Sequence, residues 1–321
     1  MSGKRYDILV VGELNVDLIL DQITSFPEMG KEKIAKDMFL VLGSSSAILA
    51  NNLSSLGAKV GFIGKIGKDM FGELILKELQ SKKVDTSLII QSPSESTGAT
   101  IVMSYGNDRA NITYPGAMES LRIEDISDDV ISTARHLHFS SYFLQPGIQK
   151  DVVKLFKKAK AMGLTTSLDP QWDPAEEWDI DLNELLPYTD FFLPNVSELA
   201  AITRIHDLDS ALMTIKSSHT IIIKMGIEGA YLYKDNLKVL YPAFINKNVV
   251  DTVGAGDSFN AGFLFKFLQG ASAKECMTFA SQTGAVSTTA AGGTGAFRSY
   301  EHVMEIIRSK FDYSENHEAT R

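Results

Sequence analysis

Residues 251–264 read Asp-Thr-Val-Gly-Ala-Gly-Asp-Ser-Phe-Asn-Ala-Gly-Phe-Leu. Three small residues, Gly254, Ala255 and Gly256, stand just before a run in which Phe259, Phe263, Leu264, Phe267 and Leu268 recur at helical spacing, with Gly270 as a stop. The spacing predicts a loop that feeds a helix N-terminus. The first-turn amides of a helix have no partner within it, the macrodipole is positive there, and small residues let a phosphate come close. Asp257 falls on that turn. It is either an ordinary first-turn acid that complements the dipole, or a base beside an anion site, able to take a proton from an attacking hydroxyl. The Gly-Ala-Gly lead and Asp251, six residues earlier, favour the second reading.

Outward from this stretch, the totals bound what the chain does. Its 321 residues, 44 % hydrophobic and 22 % charged, are those of a globular α/β protein with a large core. With 31 basic against 40 acidic side chains the formal net charge is −9, and no basic block stands out, which argues against nucleic acid as a partner. The lone Cys276 excludes an internal disulfide and a cysteine-rich zinc site. The histidines are scattered without a His-Glu-x-x-His pattern, so a zinc hydrolase has no support. No apolar run reaches membrane-spanning length and the first residues lack a signal-peptide core, so the expectation is a cytoplasmic protein with no membrane partner.

Apolar runs at 7–12, 59–64, 136–140, 164–169 and 221–223 alternate with helical patterns. That order predicts right-handed β-α-β units and a mainly parallel central sheet flanked by helices on both faces. Asn15 and Asp17 follow the first strand, where a carboxylate binds hydroxyls or caps a turn. The segments about 14–42 and 97–115 break into short strands and read as a small β-strand lid, with Gly106-Asn107-Asp108 as a hairpin turn. Arg109 on its edge is a solvated charge or reaches an anionic substrate. Gly43-Ser44-Ser45-Ser46 opens a helix closed by Gly57, Asp69 caps the helix that ends near Lys82, and one helix is predicted from Pro146 to about Met162. Trp172 and Trp178 read as packing or cover residues in an acid-rich loop. Asn195 and Glu198 have capping-box spacing, and Gly226 and Gly229 make a tight turn after Lys224. Residues 272–289 form another helix. The whole reads as a single α/β domain over 1–312 with a polar tail at 313–321.

The run Asp251-Thr252-Val253-Gly254-Ala255-Gly256-Asp257-Ser258-Phe259 resembles the C-terminal signature of the ribokinase-like sugar kinases, the PfkB carbohydrate kinase family. A weaker similarity covers 43–72, and the likeness extends from Val11-Gly12 to Gly295. The resemblance implies a ribokinase-like α/β fold and transfer of the γ-phosphate of ATP to a hydroxymethyl group of a sugar of the fructose, ribose or 2-keto-3-deoxygluconate class. By the same resemblance Asp257 is the base beside the amides of Gly254, Ala255 and Gly256, while Asp17, Gly43 and Ser44 hold the sugar; Arg109, from its place on the lid edge, is counted with the substrate contacts. Asn195, Lys224, Gly226, Gly229 and Ser281 would lie along the nucleotide, and Glu198 would hold Mg²⁺ through water. Asp251, the carbonyl of Val253 and the segment around Ser287 would surround a potassium ion; separately, an exposed lid edge is expected to pair with a second copy as a homodimer. The chain departs from the pattern in two places. Ser44 replaces the second glycine of a pair, and Ile48 replaces an asparagine, exchanging a hydrogen-bonding amide for an apolar side chain. A nucleoside or vitamin kinase of the same family and a non-catalytic sugar sensor remain as alternatives. A nicotinamide oxidoreductase would need Gly-x-Gly-x-x-Gly after the first strand, where only Gly12 stands, and no P-loop motif occurs anywhere.

Overall fold

The computed structural model describes residues 4–105, 108–215 and 219–311. The tip of the predicted hairpin turn, Gly106-Asn107, and the polar tail at 313–321 lie outside the described residues. Among the described residues thirteen strands run in chain order: β1 (Tyr6–Val11), β2 (Asn15–Asp21), β3 (Asp37–Leu42), β4 (Val60–Gly67), β5 (Ile89–Ser92), β6 (Gly98–Tyr105), β7 (Asp108–Tyr114), β8 (Ala134–Ser140), β9 (Thr165–Asp169), β10 (Phe191–Phe192), β11 (Thr220–Lys224), β12 (Ala230–Lys234) and β13 (Leu237–Tyr241). The helices are α1 (Ser45–Leu56), α2 (Met70–Ser81), α3 (Asp128–Ile131), α4 (Pro146–Gln149), α5 (Val152–Ala161), α6 (Leu182–Leu185), α7 (Val196–Thr203), α8 (Leu208–Thr214), α9 (Ala255–Leu268), α10 (Ala273–Ser287) and α11 (Tyr300–Lys310).

Nine strands form the main sheet in the order β13-β12-β11-β10-β9-β8-β1-β4-β5. All its pairings are parallel except β11–β12 and β12–β13, which are antiparallel. The continuous apolar run of β1 follows from burial on both faces. Ile8 and Val10 join a core with Leu53 of α1, Ile75 of α2, Phe263 of α9, Met277 of α10 and Ile307 of α11. Leu9 and Val11 point the other way, into a core with Phe156 of α5, Leu185 of α6, Leu199 of α7 and Leu212 of α8. A strand that feeds two cores has no polar face to alternate, which is why its sequence shows a run and not a period of two.

The second sheet is the lid, in the order β3-β2-β6-β7, with β2 and β6 parallel and both outer pairs antiparallel. β2 begins four residues after β1 ends, so the lid rises from the carboxyl edge of the main sheet. Register places Asp17, Thr100 and Thr113 in one row, facing the cavity described below, and Leu18, Ile101 and Ile112 in the next, facing away.

Three details differ from the sequence reading. The helix expected from Pro146 to Met162 is split into α4 and α5. A Cβ at Gly147 would stand 2.5 Å from the carbonyl oxygens of Glu119 and Leu121, so the first turn is fitted to that neighbouring backbone. The amphipathic face of α5, Val152, Leu155, Phe156 and Ala159, is instead fitted to the sheet. The turn after Ala230–Tyr233 continues through Asp235 and Asn236, both at positive φ, into β13, which lengthens the sheet by an antiparallel edge. Finally, β7 begins at Asp108, the last residue of the predicted turn.

Candidate active site

A cavity of about 1210 Å³ lies at the carboxyl edge of the main sheet, walled by the lid on one side and by the N-terminus of α9 on the other. Gly254 is the residue before α9 and sits at φ 70°, a left-handed conformation that glycine adopts without penalty. Among the described residues no side chain caps α9; the Ala255 amide donates to the Thr252 carbonyl at 3.3 Å, and the amides of Gly256 and Asp257, on the cavity wall, meet no capping side chain. Asp257, in that first turn, is buried and lines the cavity. Its Oδ1 accepts from Gln171 Nε2 at 3.1 Å. Burial, and next the negative charge of Asp169, push its carboxyl up to about 7, against the pull of Lys224.

Asp169 is the hub of the polar groups around this base. It ends β9, is fully buried, and accepts from Lys224 Nζ at 2.7 Å, from Asn260 Nδ2, and from the backbone N–H of Gln171 at 3.2 Å. Burial opposes the charge on Lys224, but Asp169 and Glu198 outweigh it and hold the ammonium charged. Glu198 is buried too. Desolvation, then Asp169, raise its proton affinity. Glu13, two residues beyond β1, adds a further buried carboxylate; Ser46 donates to it through both its amide and its hydroxyl. Burial raises Glu13 as well. Asp169, Gln171, Asn260 and Glu13 were not among the residues expected here. A carboxylate at the end of a parallel strand, as in Asp169, is the signal that would have pointed to it.

Toward the lid, Asp17 Oδ1 accepts from Asn15 Nδ2 at 3.0 Å, and Asn15 also donates to Thr100 Oγ1 at 2.9 Å. Burial pushes Asp17 up to about 6, opposed by that hydrogen bond and by the charge of Arg109, which lines the cavity from the lid edge. Gly43 lies behind Asp17: a Cβ there would stand 2.2 Å from Asp17 Oδ1. Ser44, also a predicted contact, lines the cavity at φ 71°, but its hydroxyl is engaged within the protein, accepting from the Ala47 amide at 3.0 Å and donating to the Glu13 carbonyl at 2.6 Å. It works as the N-cap of α1, the structural reading of a serine at this place. Ile48, only 3 % exposed, fills the space against Gly254 and Gly293 and borders the cavity. Phe143 and Trp172 line the same end, and Trp178 braces both with edge-on ring contacts.

At the opposite end, Asn195 and Glu198 form the expected capping box at the start of α7, with both backbone bonds at 2.8 Å. The turn at Gly226 and Gly229, both at positive φ, lines the cavity with Phe244, Ile245 and Ser281. Ser281 Oγ accepts from the Phe244 amide at 3.0 Å and donates to the Pro242 carbonyl at 3.1 Å, so it shapes this wall. Asp251 and Ser287 do not reach the cavity. Asp251 accepts from the amides of Val253 and Gly292, and Ser287 donates to the Val253 carbonyl at 3.4 Å, behind the loop before α9. Among the described residues no group of three or more His, Cys, Asp or Glu side chains is placed to hold a metal on its own, and no helix is long and apolar enough to cross a membrane.

Residues 5–298 match the sequence model of the pfkB family carbohydrate kinases. An uncharacterized sugar kinase of Archaeoglobus fulgidus is 30 % identical over 230 residues, which cover 70 % of this chain and 89 % of that protein. A 2-dehydro-3-deoxygluconokinase of Bacillus subtilis is 26 % identical over 84 % of this chain and 87 % of its own length. The structure of Arabidopsis thaliana ribokinase complexed with ribose and ATP superposes with a TM-score of 0.82 at 23 % identity, covering 94 % of this chain and 99 % of that one.

Proposed function

The chain belongs to the pfkB family of carbohydrate kinases and has the ribokinase-like fold, and from that premise we propose that it transfers the γ-phosphate of ATP to a hydroxymethyl group of a sugar, with Asp257 as the base. One observation carries the reading. Asp257 is a buried carboxylate with raised proton affinity, set at the uncapped, electropositive start of α9 and opening on a cavity of about 1210 Å³.

In this reading the sugar lies under the lid, with hydroxyls on Asp17 and Asn15, and its primary hydroxyl faces Asp257. Asp257 takes the hydroxyl proton as the oxygen bonds to the γ-phosphorus and the bond to the β-phosphate oxygen breaks, its electron pair leaving with ADP. The amides of residues 254–257, from the loop into the first turn of α9, hold the charge that spreads over the transferring group. Lys224 and Asn195 lie along the phosphates, and the Gly226–Gly229 turn, Phe244 and Ser281 make the wall for the base of ATP. The lid keeps water from the phosphoryl group.

The residues fit a divalent cation at this place. Glu13, Asp169, Glu198 and Asp257 outnumber Lys224, and adding a triphosphate deepens the imbalance. Mg²⁺ bound with ATP would neutralise phosphate charge, held by Glu198 through water. The oxygen donors of Asp251, Val253 and Ser287 are those a potassium ion would take, against the underside of the anion-binding loop. The outer row of the lid, with Ile101 and Ile112 exposed, is the face through which two copies would pair.

The test is coupled ATP turnover over a panel of ketoses, pentoses, sugar acids and nucleosides, with and without potassium. Asp257→Asn should lower kcat by roughly 10²–10⁴-fold with little change in the KM for ATP. Near-normal turnover by that variant would sink the assignment. A second reading, a nucleoside acceptor, draws on the aromatic wall of Phe143 and Trp172, against which a flat base can stack. Turnover of nucleosides alone on the panel would select it.

A further inference from the structure

Lys224 stands between several carboxylates, yet its ammonium goes to one of them. Asp169 ends β9 and Lys224 ends β11, two strands away, and their side chains meet at 2.7 Å over the edge of β10. Asn260, one turn beyond Asp257 on α9, turns its Nδ2 to the same carboxylate and leaves its own buried Oδ1 without a partner among the described residues. Gln171 completes the set, giving its backbone N–H to Asp169 and its side-chain amide to Asp257. A single carboxylate therefore ties together the ends of two strands, the helix that bears the base and the side chain that holds the base.

The lysine is close to that base. Its Nζ lies 3.7 Å from where a Cβ on Gly256 would be, beside the first turn of α9. The charged groups that face the region are Glu13, Asp169, Glu198 and Asp257, all buried, with Lys224 as the cation among them. Lysine is a point charge on a flexible stem and settles on the best available anion. Paired with Asp257 it would occupy the lone pair that has to accept the proton.

We propose that Asp169 is a positioning residue which holds the Lys224 ammonium off Asp257, so that the carboxylate stays open to the acceptor hydroxyl and the cation stays directed at the phosphate. The role rests on the kinase reading above. Asp169 touches neither ligand in this scheme and acts through Lys224.

Asp169→Asn keeps the shape and removes the charge. The first readout is positional and needs no turnover: in a crystal structure of the variant, Lys224 Nζ should move to within hydrogen-bonding distance of Asp257. A lysine still seated on the substituted amide would overturn the proposal. The second readout is kinetic. Asp169→Asn should lower kcat about 10- to 100-fold with each KM within about threefold, and in a Lys224→Met background the same change should cost at most about threefold. Equal losses in the two backgrounds would overturn it, because Asp169 would then act without the lysine. Replacing both members of a buried ion pair is better tolerated than breaking it. If Asp169→Asn alone does not fold, the Asp169→Asn/Lys224→Met double variant against Lys224→Met decides by the same criterion. Absence of phosphoryl transfer by the wild-type protein would strike the kinase reading, while the crystallographic readout would still judge the role of Asp169.

Discussion

Ile48 is the residue at which the acceptor end of the site departs furthest from sugar chemistry. Around it Glu13, Asn15, Asp17 and Asp257 present polar atoms to the cavity, whereas Ile48 presents a methyl-bearing chain packed on Gly254 and Gly293. A hydroxyl pressed against it would lose its hydrogen bonds to water with no replacement, at about 1–3 kcal/mol, or roughly 10- to 100-fold in kcat/KM. The wild-type protein should therefore prefer a deoxy acceptor over its hydroxylated parent, and Ile48→Asn should narrow or invert that preference. Comparing kcat/KM for deoxy and parent sugars in the two proteins checks it, and an unchanged ratio would leave Ile48 as packing alone. At this scale Asp257, Asp17, Asn195 and Glu198 were legible because a motif or a strand end marks each of them. Asp169 carries a strand-end signal too, but its partnership with Gln171 and Asn260 was not legible, since it joins residues separated by up to 91 positions along the chain.

Elements bring these residues together through close approaches that only particular side chains allow. The loop before α1 crosses β2 at Gly43, where a Cβ would fall 2.6 Å from Asp17 Cγ. Gly43→Ala should force the Asp17 carboxylate aside and raise the acceptor KM by about tenfold or more, with the KM for ATP unaltered because the far end of the cavity is untouched. Steady-state kinetics varying each ligand in turn would show it; parallel changes in both KM values would contradict the local account. Capping signals were reliable at this scale. Asp69 caps α2, Asn195 and Glu198 box the start of α7, and Gly57 closes α1 in the left-handed conformation. The split between α4 and α5 was not legible, because it is set by the backbone of residues 119–121 packed on Gly147, and nothing in the periodicity of 146–162 records that neighbour.

For the whole molecule, gathering these carboxylates in one place costs stability in a pH-dependent way. Asp257 at about 7, Asp17 at about 6 and Glu198, also raised, hold protons more tightly folded than unfolded. Their contribution is fully present below the unfolded values near pH 4 and is lost as pH climbs through about 6–7. His136 and His138 work the other way. Burial pushes both down to about 3, so the folded chain keeps them neutral and loses stability as pH falls below about 6.5. In magnesium-free buffer Tm should rise from pH 8 to about 6.5 and then level off, while kcat/KM falls below pH 7 as Asp257 takes up its proton. Calorimetry and pH–rate profiles over that range check the pair of trends, and a Tm that climbs with pH from 6.5 to 8 would refute the assignment.

The sequence by itself determined the two-sided parallel sheet, the lid segments, the uncapped helix behind Asp257 and the capping box at Glu198. Each follows from local signals: an apolar run, a glycine at a sharp turn, a polar residue one turn ahead of its partner. Only the tertiary structure decided that Asp251 and Ser287 stand behind the cavity, and that one carboxylate, Asp169, is shared by lysine, asparagine and backbone. The physical reason is burial. How a charge behaves in a low-dielectric interior depends on which opposite charge the fold brings within about 3–4 Å of it, and no spacing along the chain encodes that distance.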